Sequence, residues 1–348
     1  MKNNLFRVMV AIAILCLEIP ATAATVAPTI SSIVAGPGVT VVNGSGPIVT
    51  IGVASPLSNM GPSAWVATTT YLPGSFVLDT SFNSWRAVRQ NINDNPTSAS
   101  CNHNFQAWKP VLIGSSMSIP VPAFADNPVI AMQGLDCALI SASATVTINV
   151  AHGVYHCSTP ISANFPAADR VLIAGDEASP QLCQLEFSGD GIDVLNGHTM
   201  YIDGVELIGS GASIGANGVF AQGGFAHGSH LIAANFGVAY HADAGGRIWA
   251  DQDTAISNYR SFFAENGSYI SAASSTSLGP GTHDGYYATE ASCLICTNAT
   301  VSGALFGVSV GDESTVNATG INNSGCTCPW GQNPMTDGGN ANNGFIRH

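Results

Sequence analysis

Two carboxylates stand two residues apart at Asp251 and Asp253, with Arg247 just before them and Arg260 just after. On a strand, residues two apart share one face. The pair therefore reads as oxygen ligands for calcium, to which Asp243 adds a third acid. Beside such an ion, a basic residue could take the proton next to a uronate carboxyl. The predicted catalytic set is Asp251, Asp253 and Arg247, with Arg260 as the alternative base and calcium as the one cofactor implied. A hydrolase would instead need two carboxyl groups about 5–9.5 Å apart; Asp193, Asp203, Glu206, Glu265 and Glu290 are the available acids. His227 and His230 lie three apart in a Gly-rich bend that contains no carboxylate, so no metal site is assigned to them.

A second kind of chemistry belongs to the aromatic residues of segment 63–112. Trp65, Tyr71, Trp85 and Trp108 crowd a short stretch rich in turn residues. Three tryptophans exceed what so small a core can enclose, and an exposed aromatic face stacks on a sugar ring by dispersion. Trp65, Tyr71, Trp85 and Trp108 are the predicted carbohydrate-binding set; the competing reading makes the tryptophans the miniature core.

The elements that must position these groups come from a repeat. The segments beginning at Ser261, Gly285 and Gly307 share a small residue, Ala or Val three later, Ser at seven and an aliphatic residue at nine. Weaker copies begin at Gly191, Gly218 and Gly237, so successive starts are 27, 19, 24, 24 and 22 residues apart. A drifting period of this size, with β-prone runs too short for helices and spacers too short for crossover helices, marks a solenoid. Each period becomes one coil of a parallel β-helix, its aliphatic positions stacked on those of the next coil. Acids on neighbouring coils would then lie about 4.8 Å apart. Asn266, Asn298 and Asn317 recur near the turns, where a structural role is expected. Residues 124–137 are expected to hold the one helix, capping the open end of the solenoid.

The composition suits that fold. Only 9% of the 348 residues are charged, 46% are hydrophobic and 38 are glycine. Disorder requires the opposite balance. With a net charge of −13 the chain has nothing to attract a phosphate backbone, so nucleic acid is excluded as a partner.

Residues 1–24 read as a secretory signal: Lys2 and Arg7, an apolar run from Val8 to Leu17, and a cleavage site at Ala21-Thr-Ala23. The run is too short to span a bilayer. Export predicts a secreted, extracellular or periplasmic protein. The eight cysteines outside the leader then read as disulfide partners, with Cys157 and Cys183, about one coil apart, a candidate pair. Cys293, Cys296, Cys326 and Cys328 have the spacing of a weak zinc ribbon.

Three resemblances refine this reading. The order Ala64-Trp65, Tyr71-x-x-Gly-x-x-Val77, an aromatic strand around Trp85, and Ala107-Trp108 is similar to the small chitin-binding modules of bacterial chitinases. Thr145 to Tyr155, Pro160-Ile161, Asp169 to Asp176 and Cys183 to Phe187 resemble the first coils of the pectate-lyase-like superfamily, and that likeness runs from about 124 to 325. It implies a right-handed parallel β-helix and says little about activity. The Gly-punctuated stretch 30–51 resembles connector segments of phage tail fibres, which implies a homotrimer.

The predicted organisation is a signal peptide (1–24), a β connector (25–62), a small carbohydrate-binding-like module (63–112), a right-handed parallel β-helix (124–325) and an irregular tail (326–348). The predicted function is binding of polysaccharide or cell-wall glycan outside the cell. The alternatives are a polysaccharide lyase or glycoside hydrolase and a structural tail-fibre-like protein.

Overall fold

Ser261, Gly285 and Gly307, the starts of the clearest repeats, sit side by side in three neighbouring parallel strands. Three positions on, Ala264, Ala288 and Val310 form the next inward row. The serines at position seven form a ladder at the corner that follows. Ser268 N donates to Ser292 Oγ, and Ser292 N to Ser314 Oγ, both at 3.0 Å. At position nine, Ile270, Leu294 and Val316 stack inside the next sheet. The repeat is therefore the register of the fold.

The computed structural model describes residues 39–42, 50–53, 63–64, 66–81, 83–92, 108–136, 138–165, 167–210, 215–330 and 345–347. The chain is 51% strand and forms a parallel β-solenoid of about nine turns. Three parallel sheets make its faces. Face 1 has ten strands, from Met117–Val121 and Val146–Val150 to Phe345–Arg347. Face 2 has eight, from Gly153–Cys157 to Asn322–Gly325, and face 3 has eight, from Ile161–Ala163 to Cys328–Trp330. Each coil contributes one strand to each face in turn.

Alternation along the strands, clearest on face 1, sends one set of side chains into the lumen. On face 1 the inward row reads Met200, Ala226, Ile248, Ile270, Leu294, Val316 and Ile346, all buried. On face 3 it includes Tyr240, Phe262 and Tyr286, whose rings are stacked 4.8 and 4.9 Å apart and within 6° of parallel. Their hydroxyls are satisfied inside the lumen: Tyr240 donates to Leu231 O at 3.1 Å, and Tyr286 lies 3.0 Å from Ser275 Oγ. At the corner between faces 2 and 3, buried Asn258 accepts from Phe236 N (2.8 Å) and donates to Ala233 O (2.9 Å), tying two coils together.

The lower end is closed as expected. Helix α1 (Pro128–Leu135) buries Val129, Met132 and Leu135. Asn127 caps it by accepting from Ile130 N at 3.0 Å, and Pro128 supplies the preset first turn. Beside it, a five-stranded sheet of 63–64, 76–78, 84–87, 108–113 and 139–140 forms the small module. Residues 117–121 pair directly with 146–150, so the chain passes from the module straight into face 1. Residues 39–42 and 50–53 form a separate antiparallel pair. The predicted signal segment lies outside the described residues. No helix among the described residues is long and apolar enough to cross a membrane.

Candidate functional site

The outer surface of face 1 carries two parallel columns. Tyr201, His227 and Trp249 occupy matching outward positions on three successive coils. Phe225, Arg247, Tyr269 and Cys293 occupy the adjacent column on four. Trp249 is 46% exposed and stands nearly perpendicular to both Phe225 (centroids 5.1 Å) and His227 (5.2 Å). Tyr201 meets the far side of His227 at 5.5 Å. Each ring is thus held by a ring on a neighbouring coil.

An open groove of about 740 Å³ runs past the second column, touching Phe225, Arg247, Trp249, Tyr269 and Cys293. Its other wall is the corner between faces 3 and 1, where Gly245 and Gly267 take φ of +77° and +71°. Nothing lies within 4 Å of a Cβ built on either glycine, so the missing side chains leave the groove open. Arg247 is exposed and has no ion-pair partner among the described residues. The groove thus offers aromatic faces, one guanidinium and turn backbone, which suits a sugar's apolar ring face and hydroxyl edge.

The predicted catalytic trio is not brought together. The chain between Asp251 and Asp253 is a corner, with Gln252 at φ +67°, so the two-residue alternation of a strand does not apply there. Exposed Asp251 accepts from Ser271 Oγ (2.7 Å) and Ala273 N (2.8 Å). Asp253 turns into the wall, fully buried, with Oδ1 accepting from Leu231 N at 2.9 Å. Arg247 lines the groove while neither carboxylate does. The calcium and proton-abstraction chemistry expected of Asp251, Asp253 and Arg247 has no shared site here.

The module's described aromatic residues of the predicted sugar-binding set are core rather than surface. Trp85 and Trp108 are wholly buried and Tyr71 nearly so. Trp85 Nε1 donates to Asp79 Oδ2 at 2.8 Å, and its ring meets Phe124 of the solenoid cap at 6.2 Å. Tyr71 packs edge-on against Trp108 at 5.2 Å. These three form the joint core of module and cap, so their faces are not available for stacking. Trp65 lies outside the described residues. Among the described residues the exposed large rings are Phe76 of the module and Trp249 of face 1, and the out-in-out alternation of Arg247-Ile248-Trp249 marks the latter in the sequence.

Other titratable groups line the outer surfaces. On face 3, Asp193 is half-buried, and burial, with the nearby charge of Asp190, pushes its carboxyl up to about 6. Higher on the same column, His241 is held between Asn217 Oδ1 (3.0 Å) and Glu265 Oε1 (2.9 Å). Burial lowers its pKa, and the neighbouring Glu265 carboxylate opposes that shift. Arg260 lies over Phe263 at 4.4 Å, with its Nε 3.4 Å from Asp284.

The six described cysteines are free thiols. Cys183 faces Gly153 and Cys157 faces Phe187, so the expected pair is offset by four positions in register. Cys293 points outward on face 1 while Cys296 is buried, which divides the supposed zinc ribbon between inside and outside. Comparison with protein-family models, curated proteins and solved structures returned no match.

Proposed function

We propose that this protein is an exported polysaccharide-binding β-solenoid that holds an extracellular or cell-wall glycan against face 1. The observation that carries the reading is half-exposed Trp249, fixed by Phe225 and His227 above an axial groove that also presents Arg247 and Tyr269. A large apolar ring left in water costs solvation unless something covers it, and sugar rings cover aromatic faces well. The net charge of −13 disfavours anionic macromolecules such as nucleic acid.

The module contributes its fold rather than Trp85 and Trp108, joining the cap through Trp85 and Phe124. The test is a screen of the intact protein against immobilised chitin, cellulose, pectin, xylan and bacterial cell-wall polymers. The reading expects retention on at least one, lost in Trp249→Ala. No retention on any polymer, or retention unchanged in Trp249→Ala, would overturn it.

A further inference from the structure

The corner where face 1 turns into face 2 gathers groups that glycan binding leaves unused. Asp203 ends its face-1 strand, and His230 stands at the same corner one coil later. Glu177 lies in the corner loop one coil earlier. Each is one coil from the next in sequence, so the solenoid's register stacks three residues that no local motif would connect. One carboxylate oxygen each from Glu177 and Asp203 and one imidazole nitrogen of His230 all lie within 4.8 Å of one another.

The corner is built tightly. His230 and Gly204 take φ of +52° and +62°, and a Cβ on Gly204 would stand 2.6 Å from Glu177 N. Ser229 Oγ sits 3.0 Å from His230 Nδ1, and Asp203 Oδ1 3.3 Å from the same nitrogen. Two carboxylates here face a single imidazole, and no Lys or Arg pairs with them among the described residues. Even protonated, His230 would leave the group negative.

We infer that Glu177, Asp203 and His230 form a divalent-metal site bridging three successive coils, with zinc as the best-matched ion. Calcium takes oxygen ligands alone, whereas imidazole with carboxylate suits zinc, which binds three protein ligands and leaves a fourth position to water. Glu177 is exposed and its partners half-buried, so the ion has a path from solvent. Bound there, it clamps the loop carrying Glu177 to the coils above, and its binding energy adds to the stability of the folded chain.

The test is equilibrium dialysis of the full, untagged protein, stripped by chelator, against zinc, with calcium in parallel. Wild type is compared with Glu177→Gln and Asp203→Asn; the exposed position of Glu177 keeps the first variant folded. The site predicts one more zinc per chain in wild type than in either variant, and a zinc-dependent rise in Tm confined to wild type. Equal zinc in all three proteins, as loading of the free thiols would give, or no zinc at low-micromolar free metal, would overturn the site. Calcium bound in preference to zinc would overturn the choice of ion.

Discussion

Asp251 and Asp253, with one residue between them, lie on opposite sides of the solenoid wall. Asp251 holds Ser271 and Ala273 of the next coil from outside, and Asp253 holds Leu231 N of the previous coil from within. The αL conformation of Gln252 is what separates them.

Burial raises the Asp253 carboxyl well above its ordinary 3.8, more than the Leu231 amide lowers it. The folded state therefore keeps a proton that the unfolded chain releases, and stability falls as pH rises above 3.8 toward the folded-state pKa. Asp253→Asn keeps the acceptor for Leu231 and removes the charge. It is expected to melt higher than wild type at pH 8, with the advantage shrinking toward pH 3. Chemical denaturation across that range checks the slope; a variant less stable at pH 8 would contradict the argument.

The stacked core predicts a contrast between aromatic residues. Phe262→Ala opens a cavity between Tyr240 and Tyr286 and should cost about 3–5 kcal/mol, as should Trp85→Ala in the module core. Trp249→Ala, on the surface, should change stability by no more than about 0.5 kcal/mol. Urea titration of the three variants measures all of these.

Thiol chemistry follows burial. Burial pushes the Cys157 thiol up to about 12 and raises that of Cys296 further, so both should resist alkylation until the chain unfolds. Half-buried Cys293 and Cys328 should label first in the native protein. Peptide mass mapping after brief alkylation, without prior reduction, reads the order. Protection of Cys293 and Cys328 as a disulfide would contradict the free-thiol arrangement.

These outcomes also show what was legible in the sequence. The repeat at Ser261, Gly285 and Gly307 carried the fold because its small, Ser and aliphatic positions are the lumen row, the corner ladder and the next lumen row. The candidate sites were less legible for two reasons. Strand periodicity puts Asp251 and Asp253 on one face, but the left-handed corner at Gln252 breaks that periodicity between them. Aromatic density in 63–112 reflects a core rather than an exposed face, because Trp85 packs against Phe124 and Trp108 against Tyr71. Glu177, Asp203 and His230 meet only through coil register, so His230 read alone showed no carboxylate.

The most direct test of the account is isothermal titration of a soluble oligosaccharide from the retained polymer into wild type, Trp249→Ala and Leu305→Ala. Leu305 is also exposed but lies outside the face-1 groove. The account predicts at least a tenfold loss of affinity for Trp249→Ala, about 1.4 kcal/mol, and none for Leu305→Ala. Equal affinity in Trp249→Ala and wild type would contradict it.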